Sequence, residues 1–482
     1  MIEIDSAPAD RSRDAVGGIR SDREPFSPPT VSFQTLGCRL NQSESASLGA
    51  GFFSAGFKIL DEEMPADLCV INTCSVTEQA EARCRGLIRR ILKKNPTTFI
   101  AVTGCYAQAG VEALRKMPGI DLIVGTEYKM DLPLLVRKVS GGKALSKRET
   151  PMVFHTTKIS RNDFTIKNER GNPFAPGPTL SDPAFDFATR PNIKIQDGCD
   201  FFCSFCIIPY TRGRERSRRM EDILLEVSIW VARGHREIVL TGVNLGEYRF
   251  EEKDLSDLIE GLEALDGLHR IRISSIEPTT VSTRLLDQMA RSQKLCPYLH
   301  LPLQSGSDKI LAAMGRKYTR QEYLAFVEEA VEKIPNLGLG TDVMVGFPGE
   351  GEEEFQETVS LVASLPFSYL HVFPFSRRKG TRVVQMDLPA VHPSVVKKRS
   401  KMLCDLSKKR REDFYQAAAG RTVEVLFETR NDQGLFCGLT PNYIRVGVAS
   451  DQDLSGQLRP VRILEAAGGL ARGIVVGEGR GE

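Results

Sequence analysis

The chain has 482 residues, 41% hydrophobic and 26% charged, with 64 Lys and Arg against 62 Asp and Glu for a net charge of +2. That length exceeds one hydrophobic core and indicates about three domains; the near-neutral charge excludes a protein-wide basic field, so any polyanion site must be a local patch. No apolar run reaches the roughly 18 residues of a membrane span, the first thirty residues lack the apolar centre of a signal peptide, and eleven cysteines in such a chain point to metal ligation or buried thiols rather than disulfides, so the protein reads as cytoplasmic.

Residues 1–29, rich in Ser, Pro, Asp and Arg, read as a disordered extension. From 30 to 140, strand-like runs at Val31–Gly37, Asp67–Thr73, Phe99–Gly104 and Ile120–Gly125 alternate with helical patterns near Ser43–Phe57 and Glu78–Lys94, which predicts a parallel sheet flanked by helices. Cys38, Cys74 and Cys105 each follow one of the first three predicted strands, at the sheet edge where open parallel sheets bind ligands. Cys69, inside a strand, and Cys84, on an amphipathic helix, read as small core side chains. Residues 141–188 lose periodicity and are rich in Ser, Lys, Asn and Pro, which reads as a linker.

A second alternation spans 189–390, with strands predicted at Asn192–Gln196, Glu237–Thr241, Arg270–Ser275, Tyr298–Leu303, Leu337–Val345 and Tyr369–Phe375. Six strand–helix units fall short of the roughly 250 residues of a complete eight-unit barrel, which favours an open one. After its first strand come Cys199, Cys203 and Cys206, followed by Arg212, Arg214 and Arg216. Three thiols are one fewer than a structural zinc or a fully protein-ligated cluster takes, so this loop suggests a centre with one position left for a substrate, over buried thiols or a zinc knuckle completed from elsewhere. Thr241, Gly242, Ser275, Glu277 and Gln304 lie at ends of other strands, where glycine admits a close backbone and the polar groups can bond a ribose or an ammonium. His300, in an apolar strand, reads as a core histidine rather than a base.

Residues 391–418 form a basic helical pattern with Lys397, Lys398, Arg399, Lys401, Lys408, Lys409, Arg410 and Arg411; Arg377, Arg378 and Lys379 and the arginines after Cys206 add two further basic patches. From 419 to 482, short valine- and leucine-rich strands broken by Gly, Asn and Asp read as a small β-barrel. Its Asn442-Tyr443-Ile444-Arg445-Val446 run has the aromatic and cationic side chains that stack on bases and hold phosphate.

The CxxxCxxC spacing of Cys199, Cys203 and Cys206 resembles the signature of radical S-adenosylmethionine enzymes, and Thr35–Gln42, Ile71–Thr77 and Val102–Ala107 resemble the amino-terminal domain of their methylthiotransferase branch. The resemblance implies an α/β fold with an N-terminal parallel α/β domain, a central open (β/α)6 radical S-adenosylmethionine core and a C-terminal TRAM-like, RNA-binding barrel. It implies two 4Fe-4S clusters, a radical-generating one on Cys199, Cys203 and Cys206 and an auxiliary one on Cys38, Cys74 and Cys105. It also implies that Thr241, Gly242, Ser275, Glu277 and Gln304 are candidates to contact S-adenosylmethionine. The activity implied is sulfur insertion into a C–H bond after a deoxyadenosyl radical removes hydrogen, followed by methylation, with tRNA as substrate, an electron donor such as flavodoxin or ferredoxin, and a sulfur source. The Cys38 context looks most like the branch acting on threonylcarbamoyladenosine at tRNA position 37. Isopentenyl-adenosine and a ribosomal-protein aspartate are alternative substrates, and a non-catalytic iron–sulfur RNA-binding or redox-sensing protein is the alternative of another class.

Overall fold

The computed structural model describes residues 28–62, 64–157, 159 and 189–477, so residues 1–27 of the extension predicted over 1–29 and most of the linker lie outside the described residues. The first unit contains β1 (Thr30–Thr35), α1 (Arg39–Ser54), β2 (Lys58–Leu60), β3 (Leu68–Thr73), α2 (Glu78–Lys94), β4 (Phe99–Gly104), α3 (Cys105–Ala109), α4 (Val111–Arg115), β5 (Leu122–Val124), α5 (Leu132–Ser140) and β6 (Met152–Phe154). Its sheet runs β2-β1-β3-β4-β5-β6, parallel throughout. β3 and β4 are buried at every residue, as expected of strands covered by helices on both faces. α2 starts where Thr77 accepts a hydrogen bond from the Ala80 amide, with Glu78 and Glu81 in its first turn and Lys93 and Lys94 in its last, which matches the helix dipole. The linker reading is corrected at Met152–Phe154, which pairs with β5 as a sixth strand; three half-buried residues carry too little alternation to be read from sequence.

The second unit contains β7 (Asn192–Lys194), β8 (Gln196–Asp197), α6 (Ile208–Arg212), β9 (Arg216–Ser217), α7 (Met220–Ala232), β10 (Glu237–Thr241), β11 (Arg249–Phe250), β12 (Lys253–Asp254), α8 (Leu255–Glu263), β13 (Arg270–Ile273), α9 (Thr283–Arg291), β14 (Tyr298–His300), α10 (Asp308–Met314), α11 (Arg320–Lys333), β15 (Gly338–Val345), α12 (Glu352–Ser364) and β16 (Tyr369–Pro374). β7, β10 and β13 pair in parallel, as do β14, β15 and β16, and bridges Ile271–Leu295 and Ser275–His300 join the halves into one open curved sheet. Its apolar positions, among them Ile193, Leu240, Ile271, Leu299, Val343 and Leu370, form a single core with the surrounding helices. Alternation turns the polar residues of the same strands to the concave face.

α13 (Pro393–Gln416), opened by a proline in its first turn, leads to a closed barrel of β17 (Thr422–Arg430), β18 (Phe436–Leu439), β19 (Arg445–Val448), β20 (Leu458–Ala467) and β21 (Leu470–Val475) in the order β17-β18-β19-β21-β20. Val425, Phe427, Val446, Val461 and Ile463 fill its interior.

The three units are tied together. The first spans the gap between the edge strands of the second: Lys194 on β7 bonds Glu44 of α1 at 2.6 Å, while beyond β16 the Ser376 hydroxyl accepts from the Glu78 amide at 3.0 Å and Arg378 pairs with Glu81. The small barrel docks on the opposite, amino-terminal ends of the strands. There Arg272 donates to the carbonyls of Pro441 at 2.7 Å and Thr440 at 3.2 Å, and Arg270 donates to that of Leu439 at 3.0 Å.

Candidate active site

Cys38, Cys74 and Cys105 follow β1, β3 and β4, and tight glycines draw their loops together. Gly37 has φ +101°, and a Cβ there would lie 2.7 Å from Cys74 Cβ; Gly104 has φ +98°, and its Cβ would lie 2.4 Å from the Thr73 carbonyl oxygen. Both positions combine left-handed backbone with no room for a side chain. Asn41 links the same loops, its amide donating to the carbonyls of Leu36 at 2.7 Å and Thr73 at 3.0 Å. Burial pushes the Cys74 thiol up to about 11, with further pressure from Cys105 and Cys38. The three thiols therefore lie near one another at the carboxyl edge of the sheet. Cys69 and Cys84 are buried as expected, the latter with its thiol 3.7 Å from the Cys74 carbonyl oxygen. Cys404, outside both sets of three, faces solvent on α13.

The second cysteine loop is shaped by its backbone. Gly198 has φ +71°, and a Cβ on it would come within 1.9 Å of the Arg214 carbonyl oxygen. Phe202 is itself left-handed at φ 48°, with Arg382 donating to its carbonyl at 2.5 Å. The Ser204 amide donates to Met314 O at 2.7 Å, and its carbonyl accepts from Val383 at 2.8 Å, so both sides of the loop are pinned. Burial raises all three thiols, Cys206 to about 12. Thiols so placed are poor free nucleophiles, but a metal would draw off their protons. The donor set fits a cluster held by three thiolates, because Arg316 brings a guanidinium to 3.4 Å from Cys203 Sγ and offsets the charge of thiolate ligands.

At the neighbouring strand ends, three buried polar atoms have no protein partner: Gln304 Oε1, Ser274 Oγ and Asn244 Nδ2. Groups of this kind normally have partners, so they fit a polar cofactor. Gln304 is held in left-handed backbone at φ 65°. Ser275 is half-buried. Gly242 leaves Gln196 Oε1 free to accept the Val243 and Asn244 amides, since a Cβ on it would come 2.8 Å from that oxygen. Thr241 is buried and donates to the Val239 carbonyl at 3.2 Å, and the Glu277 carboxylate is paired with Arg316, with Nη1 at 3.1 Å. These two side chains are thus already engaged. Sequence reasoning missed Asn244 and Ser274, although both stand in strand-end runs of the expected kind, and it missed Arg316, which lies beyond α10 and gives no local signal.

The basic residues divide in the same way. Arg212 is not part of a surface patch: it is fully buried, donating to Glu44 at 2.9 and 3.1 Å, to Asp197 at 3.0 Å and to Asn41 Oδ1 at 2.7 Å. Burial opposes its charge, but the thiols of Cys105 and Cys38 together with Glu44 and Asp197 hold it protonated well above the usual range. A side chain of the second unit therefore supplies positive charge to the cysteine pocket of the first. Arg378 pairs with Glu81 and Arg399 with Glu350, both buried. Lys397, Lys398, Lys401, Lys408, Lys409 and Arg411 remain exposed on α13, as do Arg445, Arg459, Arg462 and Arg472 on the small barrel. Tyr443 also departs from expectation. It packs on Tyr298 with ring centroids 4.2 Å apart, lies under Arg272 at 4.1 Å, and accepts a hydrogen bond from Arg39 at 2.5 Å, so it joins the domains instead of stacking on bases.

Residues 193–362 match the model of the Radical SAM superfamily and residues 30–125 that of Uncharacterized protein family UPF0004. A threonylcarbamoyladenosine tRNA methylthiotransferase MtaB from Bacillus subtilis is 36% identical over 444 residues, covering 91% of this chain and 94% of the relative. The chain belongs to the radical S-adenosylmethionine methylthiotransferases. The protein of the same name from Aquifex aeolicus is 36% identical across 86% of this chain and 96% of its own. A tRNA-2-methylthio-N(6)-dimethylallyladenosine synthase from Alkaliphilus oremlandii is 35% identical across 92% of both. Among solved structures, the cobalamin- and [4Fe-4S]-bound radical S-adenosylmethionine methyltransferase TsrM from Kitasatospora setae matches with TM-score 0.50 at 13% identity, over 72% of this chain and 75% of its own, a likeness of fold. Membership makes this chain a radical S-adenosylmethionine-dependent methylthiotransferase that uses S-adenosylmethionine and 4Fe-4S clusters. No helix among the described residues is long and apolar enough to cross a membrane.

Proposed function

We propose that this enzyme converts N6-threonylcarbamoyladenosine at position 37 of tRNA to its 2-methylthio derivative, with Cys199, Cys203 and Cys206 holding the radical-generating cluster and Cys38, Cys74 and Cys105 the auxiliary one. The observation that supports the reading is that two sets of three cysteines stand in adjoining units, and that the second unit sends the buried Arg212 to the side of Cys105 and Cys38 in the first. When bound, the clusters and S-adenosylmethionine supply one-electron reduction, hydrogen abstraction and sulfur. The protein's own residues position these groups. Gly198 and Phe202 shape one loop, Gly37 and Gly104 pack the others, Gln304, Ser274 and Asn244 offer hydrogen bonds to the cofactor, and the first unit is held across the open side of the sheet.

The concave face favours a polar substrate side chain. Tyr298, Tyr369, His300 and His371 line it, and Arg39, adjacent to Cys38, reaches across to Tyr443. A threonylcarbamoyl group brings a carboxylate and a hydroxyl to such a lining, whereas an isopentenyl group would leave those polar groups unpaired. Relatives named for the threonylcarbamoyl activity support the same choice. Exposed cations on α13 and the small barrel supply the local patch for RNA phosphates, and the reductant is expected to be a flavodoxin or ferredoxin, with a separate sulfur source. The test is to give reduced enzyme and S-adenosylmethionine to matched tRNAs carrying one modification or the other. Methylthiolation of the threonylcarbamoyl form is expected, and conversion of the isopentenyl form alone would reject the substrate while leaving the chemistry intact.

A further inference from the structure

His300, Asp342 and His371 come from three neighbouring parallel strands, β14, β15 and β16. They are placed side by side by register, with Asp342 opposite His371 and His300 opposite Gly340. Their chain neighbours Leu299, Val343 and Leu370 belong to the core beneath the helices, so all three project to the concave face. His300 is buried with both ring nitrogens partnered, as its reading as a core histidine expects, and it stands on the concave face. Its Nε2 lies 3.2 Å from Asp342 Oδ1, His371 Nδ1 lies 3.3 Å from the same oxygen, and all three atoms lie within 4.8 Å of one another.

We propose that these residues form a mononuclear site for a divalent transition-metal ion such as zinc, separate from both sets of cysteines. Tetrahedral zinc with bonds of about 2.0–2.1 Å sets its ligand atoms about 3.3–3.4 Å apart, and the separations of His300 and His371 from Asp342 Oδ1 lie close to that spacing. Two imidazoles and one carboxylate are the donors of open zinc sites, which keep a further position for an exogenous ligand. The outer contact fits as well: the other nitrogen of His300, Nδ1, is 3.2 Å from the Tyr369 hydroxyl, the kind of partner that fixes the ring of a metal-bound histidine. Nearby cations have other partners, Arg272 on Glu237 at 2.9 Å and Arg39 on Tyr443, so neither guanidinium competes for Asp342. His371 is 65% exposed where His300 is only 8%, so the open position lies on the His371 side, toward the space a substrate would enter. An anionic oxygen ligand is the class it would take. That this oxygen is the threonyl carboxylate rests on the substrate reading above; the ion itself does not.

The test uses the anaerobically reconstituted full-length protein, whose clusters occupy the six cysteines, incubated with a slight excess of Zn2+, desalted and analysed for zinc and iron. About one zinc per chain is expected beyond the cluster iron, with an X-ray absorption spectrum showing nitrogen and oxygen but no sulfur neighbours. His371→Ala, at an exposed position that leaves the core intact, and Asp342→Asn are each expected to lose at least four-fifths of that zinc while keeping their iron. Zinc retained in His371→Ala, a sulfur shell at the zinc edge, or no zinc in the iron-replete parent would overturn the site, whichever tRNA the enzyme accepts.

Discussion

Replacing Glu44 by glutamine keeps the volume of a fully buried side chain and removes its charge. In the native protein that carboxylate takes Lys129 at 2.6 Å, Lys194 at 2.6 Å and Arg212 at 2.9 Å. Arg212 and Lys194 also hold Asp197, at 3.0 and 2.8 Å, so each keeps one anion after the change. Lys129, also buried, keeps only the neutral Asn72 Oδ1 at 3.2 Å. Stranding a buried charge in this way costs about 3–5 kcal/mol, or about two to three and a half orders of magnitude in the equilibrium that opens α1 from the rest of the protein. Hydrogen exchange of the α1 amides reads this opening directly, and their protection should fall by that factor. Adding Lys129→Met to Glu44→Gln should restore most of it, because removing both members of a buried pair is close to neutral. Burial alone would raise the Glu44 pKa, but Arg212, Lys129 and Lys194 pull it well below the usual range. A depressed carboxylate stabilises fully above its unfolded pKa of about 4.3 and fades only as pH falls toward the folded value, so native α1 protection should stay level from pH 8 to 5 after correction for intrinsic exchange. A drop of less than tenfold in Glu44→Gln, or no recovery in the double variant, would refute this account of how the units are joined.

Replacing Cys199, Cys203 and Cys206 together with alanine should leave about half of the roughly eight irons and abolish cleavage of S-adenosylmethionine. The triple variant at Cys38, Cys74 and Cys105 should lose the other half and keep cleavage, and full iron in either would remove the assignment. Gly198→Ala should mimic the first triple in iron content, since its Cβ has a carbonyl oxygen 1.9 Å away; normal iron there would show that the loop can move aside. Exchanging Arg459 and Arg462 for glutamine should weaken tRNA binding and lower the slope of log affinity against log salt by about 1 per lost phosphate contact. An unchanged slope would assign these exposed arginines another role.

The cysteine chemistry was legible because it is local. Three thiols within eight residues announce a loop, and cysteines after successive strands converge by the logic of a parallel sheet. The open six-stranded architecture followed from a strand–helix alternation repeated six times, in which the intervening helices mark even the three-residue β7 and β14. What stayed hidden depends on partners far along the chain. Arg212 looks like its neighbour Arg214 in sequence, yet Glu44, 168 residues earlier, takes it into the interior while Arg214 remains at the surface. Arg316 reaches Cys203 over 113 residues. Strands β2 and β6 are three residues each, too short for a period to register. Tyr443 carried an aromatic signal suited to RNA, but only the docked barrel shows that its ring is spent on Tyr298 and Arg272.

That placement of Tyr443 limits how the enzyme can be re-engineered. A carboxyl-terminal barrel taken from another protein could not be attached as a passive RNA-binding module, because the loop Thr440–Tyr443 completes the floor of the central sheet, and without its carbonyls Arg272 would lose two of its acceptors inside the protein. Only the outer wall, where Arg445, Arg459, Arg462 and Arg472 stand in solvent, is open to exchange. A chimera that keeps this loop and replaces the wall would change which RNA is held without disturbing the chamber above it.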